Sequence, residues 1–177
     1  MADYSTIVVD SAGPATDLAT VEASMPLDRT DRLILEILQR DARITNAALA
    51  DKVSLSESAC LRRVRALEAA GLISGYGARI DQEKAGLPVS VFVSITLDRQ
   101  DQTDLQAFED AVRRIPEVME CYLMTGDFDY LLRVVVDDTA DFERVHSRQL
   151  TRLPGVARVH SSFALRAVAR LHVLPIR

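Results

Sequence analysis

Three arginines stand close together in this chain, Arg62, Arg63 and Arg65, just after Ser56, Glu57 and Ser58. Guanidinium groups pair with phosphates and with guanine edges, and short hydroxyl or carboxylate side chains read neighbouring base edges. That is the chemistry of a nucleic-acid contact, provided that one helix presents these residues on one face. The bland alternative is a solvated basic helix face. Few other catalytic arrangements present themselves. No paired-carboxylate site, nucleophile–base triad or phosphate-cradling glycine loop stands out. Cys60 and Cys121 have no CxxC spacing and no Cys/His cluster around them. They read as buried thiols in a reducing compartment, with no metal site. No cofactor is expected.

The elements before the arginines decide between the two readings. Asp28 is a good N-cap with Asp31 in the capping-box position, and Leu33, Ile34, Ile37 and Leu38 then make an apolar stripe up to Arg40. Thr45 caps a short second helix, opened by Asn46 and carrying Ala48, Leu49 and Val53. Ser54-Leu55 is a tight turn. Ser56 caps a third helix in which Cys60, Leu61, Val64 and Leu67 are expected to face the core, and which stops at Gly71. Three short helices with a tight turn before the third make a helix-turn-helix, whose third helix enters the major groove of double-stranded DNA. Thr45, Asn46, Ser56, Glu57, Ser58, Arg62, Arg63 and Arg65 are the expected DNA-contacting residues, the serines nearer base edges and the arginines nearer phosphates. Leu72 to Ile80 reads as a short hairpin or wing, and Asp81 to Pro88 as a hinge.

The formal charge of −5 argues against nucleic acid only until it is divided. Residues 1–26 carry four acidic and no basic residues, residues 27–81 nine basic against eight acidic, and residues 82–177 twelve against fourteen. The local field matters more than the total. Residues 1–26 are rich in Ala, Thr, Asp and Ser and read as a mobile tail. No apolar run approaches the roughly 20 residues that span a bilayer, and no basic residue precedes an apolar stretch at the N-terminus. The expectation is a cytoplasmic protein with no membrane partner.

From Val89 the period changes to two. Val89, Val91, Val93, Ile95 and Leu97 alternate with Ser90, Phe92, Ser94 and Thr96, which makes a strand. A helix follows from about Thr103 to Ile115, then strands over Val118–Thr125 and Phe128–Val136 joined around Gly126-Asp127. A helix over Thr139–Leu153 and a strand over Val156–Leu165 complete the order βαββαβ, with a further extended piece over Ala167–Ile176. Ile115-Pro116-Glu117-Val118 recurs 38 residues later as Leu153-Pro154-Gly155-Val156, each time ending a helix and opening a strand. The expected class is α+β: a winged helix-turn-helix followed by a ferredoxin-like α/β sandwich. The domains run 1–26 (tail), 27–75 (head), 76–88 (wing and hinge) and 89–177 (second domain).

Two sets of residues carry a resemblance. In the head they are Leu27-Asp28, Asp31, Ile34-Leu35, Leu49-Ala50, Val53-Ser54-Leu55-Ser56 and the run from Cys60 to Ile73. In the second half they are Gly126-Asp127-Phe128-Asp129-Tyr130-Leu131-Leu132 and Leu153-Pro154-Gly155-Val156. Together they resemble the Lrp/AsnC (leucine-responsive, feast-famine) regulators, over about Pro26 to Ile176. The resemblance implies a transcription regulator, not an enzyme. Its sensor domains pair their sheets into homodimers that assemble further, as octamers or similar rings. An amino acid or related metabolite binds near the loop Met124-Thr125-Gly126-Asp127-Phe128-Asp129-Tyr130. The implied ligand-binding residues are Met124, Thr125, Gly126, Asp127, Asp129, Tyr130, Ser161 and Ser162. Gly126 admits close backbone approach, free N–H groups can take a carboxylate, Asp127 or Asp129 an ammonium, and the serine hydroxyls can add to these.

Two departures stand out: Ser54 occupies a turn position that often holds Gly, and the acidic tail is long. Two other functions compete. One is a tetrapyrrole (sirohaem-type) decarboxylase of this architecture, for which His146, His160 and His172 would be weighed. The other is an architectural DNA-binding protein that answers to no ligand.

Overall fold

A computed structural model describes residues 26–176. The tail expected over residues 1–26 lies, apart from Pro26, outside the described residues. Contacts divide the described chain into two units, residues 26–77 with 172–176, and residues 78–171.

In the first unit, α1 (Arg29–Arg40), α2 (Asn46–Lys52) and α3 (Glu57–Ala69) each begin at the expected cap. Asp28 Oδ1 accepts from the Asp31 N–H at 2.8 Å and the Asp31 carboxylate accepts from the Asp28 N–H, a complete capping box. Thr45 and Ser56 accept from Ala48 and Ala59. The turn between α2 and α3 closes through Leu55 N–H donating to the Ala50 carbonyl at 3.0 Å. It needs Ser54 at φ +54°, the sole non-glycine positive φ among the described residues. An L-residue there costs about 1 kcal/mol, so the departure at Ser54 is a strained turn rather than a different one. Helix α3 ends on Gly71 at φ +71°, with Leu72 N–H returning to the Leu67 carbonyl.

Ile34, Leu35, Leu49, Ala50, Val53, Cys60 and Leu67 form the buried core of this unit. Two expected core positions are exposed, Leu33 at 39% and Leu61 at 38%. The helical repeat explains both. Cys60, Val64 and Leu67 keep one face of α3, and Leu61 lies about 100° round from Cys60. On α1 the buried pair is Ile34 and Leu35. No strand forms between residues 72 and 88, so the expected hairpin is an irregular segment instead. Residues 172–176, expected with the second domain, belong to this unit. Ile176 packs on its core, and the Gln39 side chain both donates to and accepts from the Leu174 backbone.

In the second unit the strands β1 (Val89–Leu97), β2 (Val118–Leu123), β3 (Tyr130–Val136) and β4 (Val156–Phe163) form one antiparallel sheet in the order β2-β3-β1-β4. With α4 (Gln102–Val112) and α5 (Thr139–Arg148) this is the expected ferredoxin-like βαββαβ sandwich. Val91, Val93, Ile95 and Leu97 of β1 and Tyr130, Leu132, Val134 and Val136 of β3 pack with Phe108, Val112, Phe142 and Val145 of the helices. The intervening residues point away from the helices. That second face, which includes Phe92 and Tyr122, is open in the single chain.

The proline echo is a repeated turn. Ile115 and Leu153 are both buried, and Val118 and Val156 donate to their carbonyls at 3.1 and 3.4 Å. Leu153 sits in extended geometry (φ −62°, ψ 144°), as a residue before proline must. The expected hinge over residues 81–88 is a closed turn of the second unit. Ala85 N–H donates to the Asp81 carbonyl, and Gln82 Nε2 donates to Leu87 O and Ser90 Oγ. No helix among the described residues is long and apolar enough to cross a membrane.

Candidate DNA-binding face and effector pocket

The first unit sorts the arginines of α3. Ser58, Arg62 and Arg65 fall at i, i+4 and i+7, hence on one outward face, and all three are exposed. The Arg62 and Arg65 guanidinium groups make no ion pair or hydrogen bond within the described residues. Arg63 differs. Its Nη1 donates to Asp28 Oδ2 at 2.6 Å and to Asp31 Oδ1 at 2.8 Å, tying the middle of α3 to the capping box of α1. The Asp28 carboxyl is held below its ordinary value, first by the Asp31 N–H and then by Arg63, and the Arg63 guanidinium is raised in turn by Asp31 and Asp28. The expected phosphate contact from Arg63 therefore gives way to a bolt between helices.

Asn46 is also engaged: its Nδ2 donates to the Glu57 carbonyl at 2.9 Å and fixes the spacing of α2 and α3. Thr45 and Ser56 act as caps, and Ser56 Oγ lies 3.3 Å from Ser58 Oγ. Glu57 and Ser58 are exposed at the N-terminal end of α3. A helix held by these contacts thus presents two unpaired guanidinium groups with Ser58 and Glu57 at its N-terminal end, the arrangement that groove entry uses.

The second unit sorts the loop in the same way. Asp129 is 8% exposed, and its carboxylate accepts from the Leu97 N–H at 2.7 Å and from Gln100 Nε2 at 2.6 Å. Its backbone bonds Ile95 and Met124. It is an anchor rather than an open ammonium site. Tyr130 is 1% exposed, its ring 4.4 Å from that of Phe108 and its hydroxyl donating to Glu109 Oε1 at 3.0 Å. Burial, then Glu109, push its phenol well up, so it stays a neutral donor in the core. Ser161 opposes Val93 and lies on the helix side of the sheet with its Oγ buried, whereas Ser162 opposes Phe92 on the open face. Tyr130 and Ser161 therefore do not reach the open face.

The loop itself is free. The N–H groups of Thr125, Gly126, Asp127 and Phe128 form no backbone hydrogen bond, and Gly126 holds φ +126°. Beside the loop lies a pocket of about 320 Å³ lined by Ser94, Thr96, Asp127, Phe128, Arg158 and His160. A wider depression of about 480 Å³ is lined by α4 alone and gathers no opposed charges. The sequence pointed to Asp127 and, through its loop, to Phe128; it weighed His160 only for a decarboxylase and missed Ser94, Thr96 and Arg158. Period-two alternation already put Ser94 and Thr96 on one face of a strand. The missing fact was the register: β4 runs antiparallel to β1 with His160 opposite Ser94 and Arg158 opposite Thr96. The three histidines are scattered, His146 on α5, His160 on β4 and His172 in the other unit.

Known proteins mark the same two parts, although the second family model runs on to residue 174. A family model for winged helix-turn-helix DNA-binding domains matches residues 27–74, and one for the Lrp/AsnC ligand binding domain matches residues 90–174. The Bkd operon transcriptional regulator of Pseudomonas aeruginosa is 47% identical over 142 residues, covering 80% of this chain and 93% of that protein. The leucine-responsive regulatory protein of Escherichia coli is 40% identical over 151 residues, 85% of this chain and 92% of that one. Among solved structures, a transcriptional regulator of Neisseria meningitidis in complex with L-Met superposes with a TM-score of 0.80 at 36% identity, covering 85% of this chain and 97% of the other. These likenesses span both units and favour a regulator over the decarboxylase reading. The chain belongs to the Lrp/AsnC family of DNA-binding transcription regulators.

Proposed function

We propose that this regulator binds DNA through Ser58, Arg62 and Arg65 of α3, and that an amino acid or related zwitterion held at the 125–128 loop sets its assembly or its DNA affinity. The observation that carries the reading is the loop. Four consecutive N–H groups without backbone acceptors stand next to the Asp127 carboxylate, at the rim of a pocket. Such a loop takes an α-carboxylate on its N–H groups and an α-ammonium on Asp127. The relative solved with L-Met supports the ligand class.

The open sheet face, with Phe92 at 40% and Tyr122 at 54% exposure, suits pairing with a second copy into a homodimer. Dimers then join into a higher oligomer such as an octamer, and the pocket, which opens at the loop end of that same sheet face, lies at a seam between copies where ligand can favour one assembly over another. A DNA-binding regulator works in the cytoplasm, beside the chromosome.

A thermal-shift screen against the common amino acids at millimolar concentration tests the reading. Ligand that binds only the folded state raises the midpoint by mass action. At least one amino acid is expected to raise it; none doing so leaves the architectural role in its place.

A further inference from the structure

The head-group chemistry uses only one side of the pocket. The other side is built by β4. Arg158 and His160 are two residues apart on that strand, so both project onto the open face, and each opposes a hydroxyl residue of β1, Thr96 and Ser94. Neither side chain has an ion pair or hydrogen-bond partner within the described residues. Arg133, on the same face one strand beyond β1, is already neutralised by Glu120 at 2.8 Å. Phe128 is the one apolar side chain among the six that line the pocket; no Leu, Ile, Val or Met contributes.

The lining therefore selects by charge. An aliphatic side chain entering here would strip water from a guanidinium, an imidazole and two hydroxyls and return no hydrogen bond to any of them, which makes the pocket unfavourable for it. A carboxylate would be met by a fork of N–H donors on Arg158, with Ser94, Thr96 and His160 beside it. The charges also match in number. Asp127 balances an α-ammonium, the loop N–H groups take the α-carboxylate, and Arg158 is left for a second carboxylate.

We infer that Arg158, seconded by His160, is the specificity wall of this pocket, and that the effector is an amino acid with an acidic side chain rather than an aliphatic one. The inference rests on the reading that the 125–128 loop and Asp127 hold an amino-acid head group.

Calorimetric titration of the full-length chain with L-glutamate, L-aspartate and L-leucine tests it, repeated on Arg158→Ala, Arg158→Lys and Asp127→Ala. One of the two acidic amino acids is expected to bind at least about tenfold more tightly than L-leucine, the equivalent of one charge-assisted hydrogen bond. Arg158→Ala should weaken the acidic ligand about tenfold and leave L-leucine binding at least as tight as in the wild type, because the guanidinium it would desolvate is gone. Arg158→Lys, which keeps the charge but loses the fork, should fall between. Unchanged thermal midpoints in the variants separate these effects from misfolding. Tighter binding of L-leucine, or acidic binding that ignores Arg158→Ala, overturns the specificity wall. If that binding is still lost in Asp127→Ala, the head-group reading stands without it. Binding of none of the three by the wild type, together with a silent amino-acid screen, overturns both.

Discussion

The two units solve the same problem with different materials. Each must hold a few charged groups free for a partner while using near-identical neighbours to fix their position. In the head, three short helices bury only seven side chains, and the third helix is located largely by polar bolts: Arg63 to Asp28 and Asp31, and Asn46 to the Glu57 carbonyl. In the sensor unit fifteen buried side chains gather into one core, and the loop is located by one buried carboxylate, Asp129, bound to Leu97 and Gln100. The head's bolts are only partly buried and are polar or electrostatic, whereas the sensor's anchor is buried. Salt and acid should therefore loosen the first, while loss of a single atom group should damage the second.

The largest effect is expected on the free arginines. Arg62→Ala combined with Arg65→Ala should weaken DNA binding roughly a hundredfold and lower the slope of log affinity against log salt by about 2 per protomer, if each arginine meets one phosphate. Fluorescence anisotropy on a labelled duplex measures both. Arg63→Ala should leave that slope unaltered; an equal drop in slope would put Arg63 back on the DNA.

Next comes the anchor. Asp129→Ala leaves the buried Leu97 N–H without its acceptor and should destabilise the sensor unit by about 2 kcal/mol in urea unfolding. A neutral result would mean that the loop is held by its backbone bonds alone.

The smallest effect belongs to the bolt. Because the folded-state Asp28 carboxyl lies below its ordinary value of 3.8, its contribution is complete above that pH and is lost as the pH falls through the folded value. Asp28→Asn, which keeps an N-cap, should flatten the dependence of the head's melting temperature on pH below about 4 and mute its sensitivity to salt. A wild-type profile unchanged by the substitution would show that the contact has no energetic role.

Much of the fold was legible because its signals are local. Asp28, Thr45 and Ser56 announce their helices through caps, Gly71 a helix end, and Pro116 and Pro154 two strand starts. What escaped was long-range. Leu61 reads as core by its type, but its angle on α3 exposes it. Residues 172–176 look like a last piece of the sensor, yet Ile176 finds its apolar partners in the head. The site followed the same rule. The motif Gly126-Asp127-Phe128-Asp129-Tyr130 marks the loop, but its two aspartates look alike on paper, and only the approach of Leu97 and Gln100 separates the anchor from the free one. Arg158 and His160 carry no local mark at all, because they enter the pocket through the β1–β4 register.

The most direct test of the central claim is DNA affinity with and without effector. A duplex recovered by selection from random sequences would be titrated with wild type and Asp127→Ala, each in the presence and absence of the amino acid that gives the largest thermal shift. The ligand is expected to change wild-type affinity or the size of the complex, while Asp127→Ala binds the same duplex equally well and ignores the ligand. A variant that still responds would contradict that claim, and place the sensor's ligand somewhere other than the 125–128 loop.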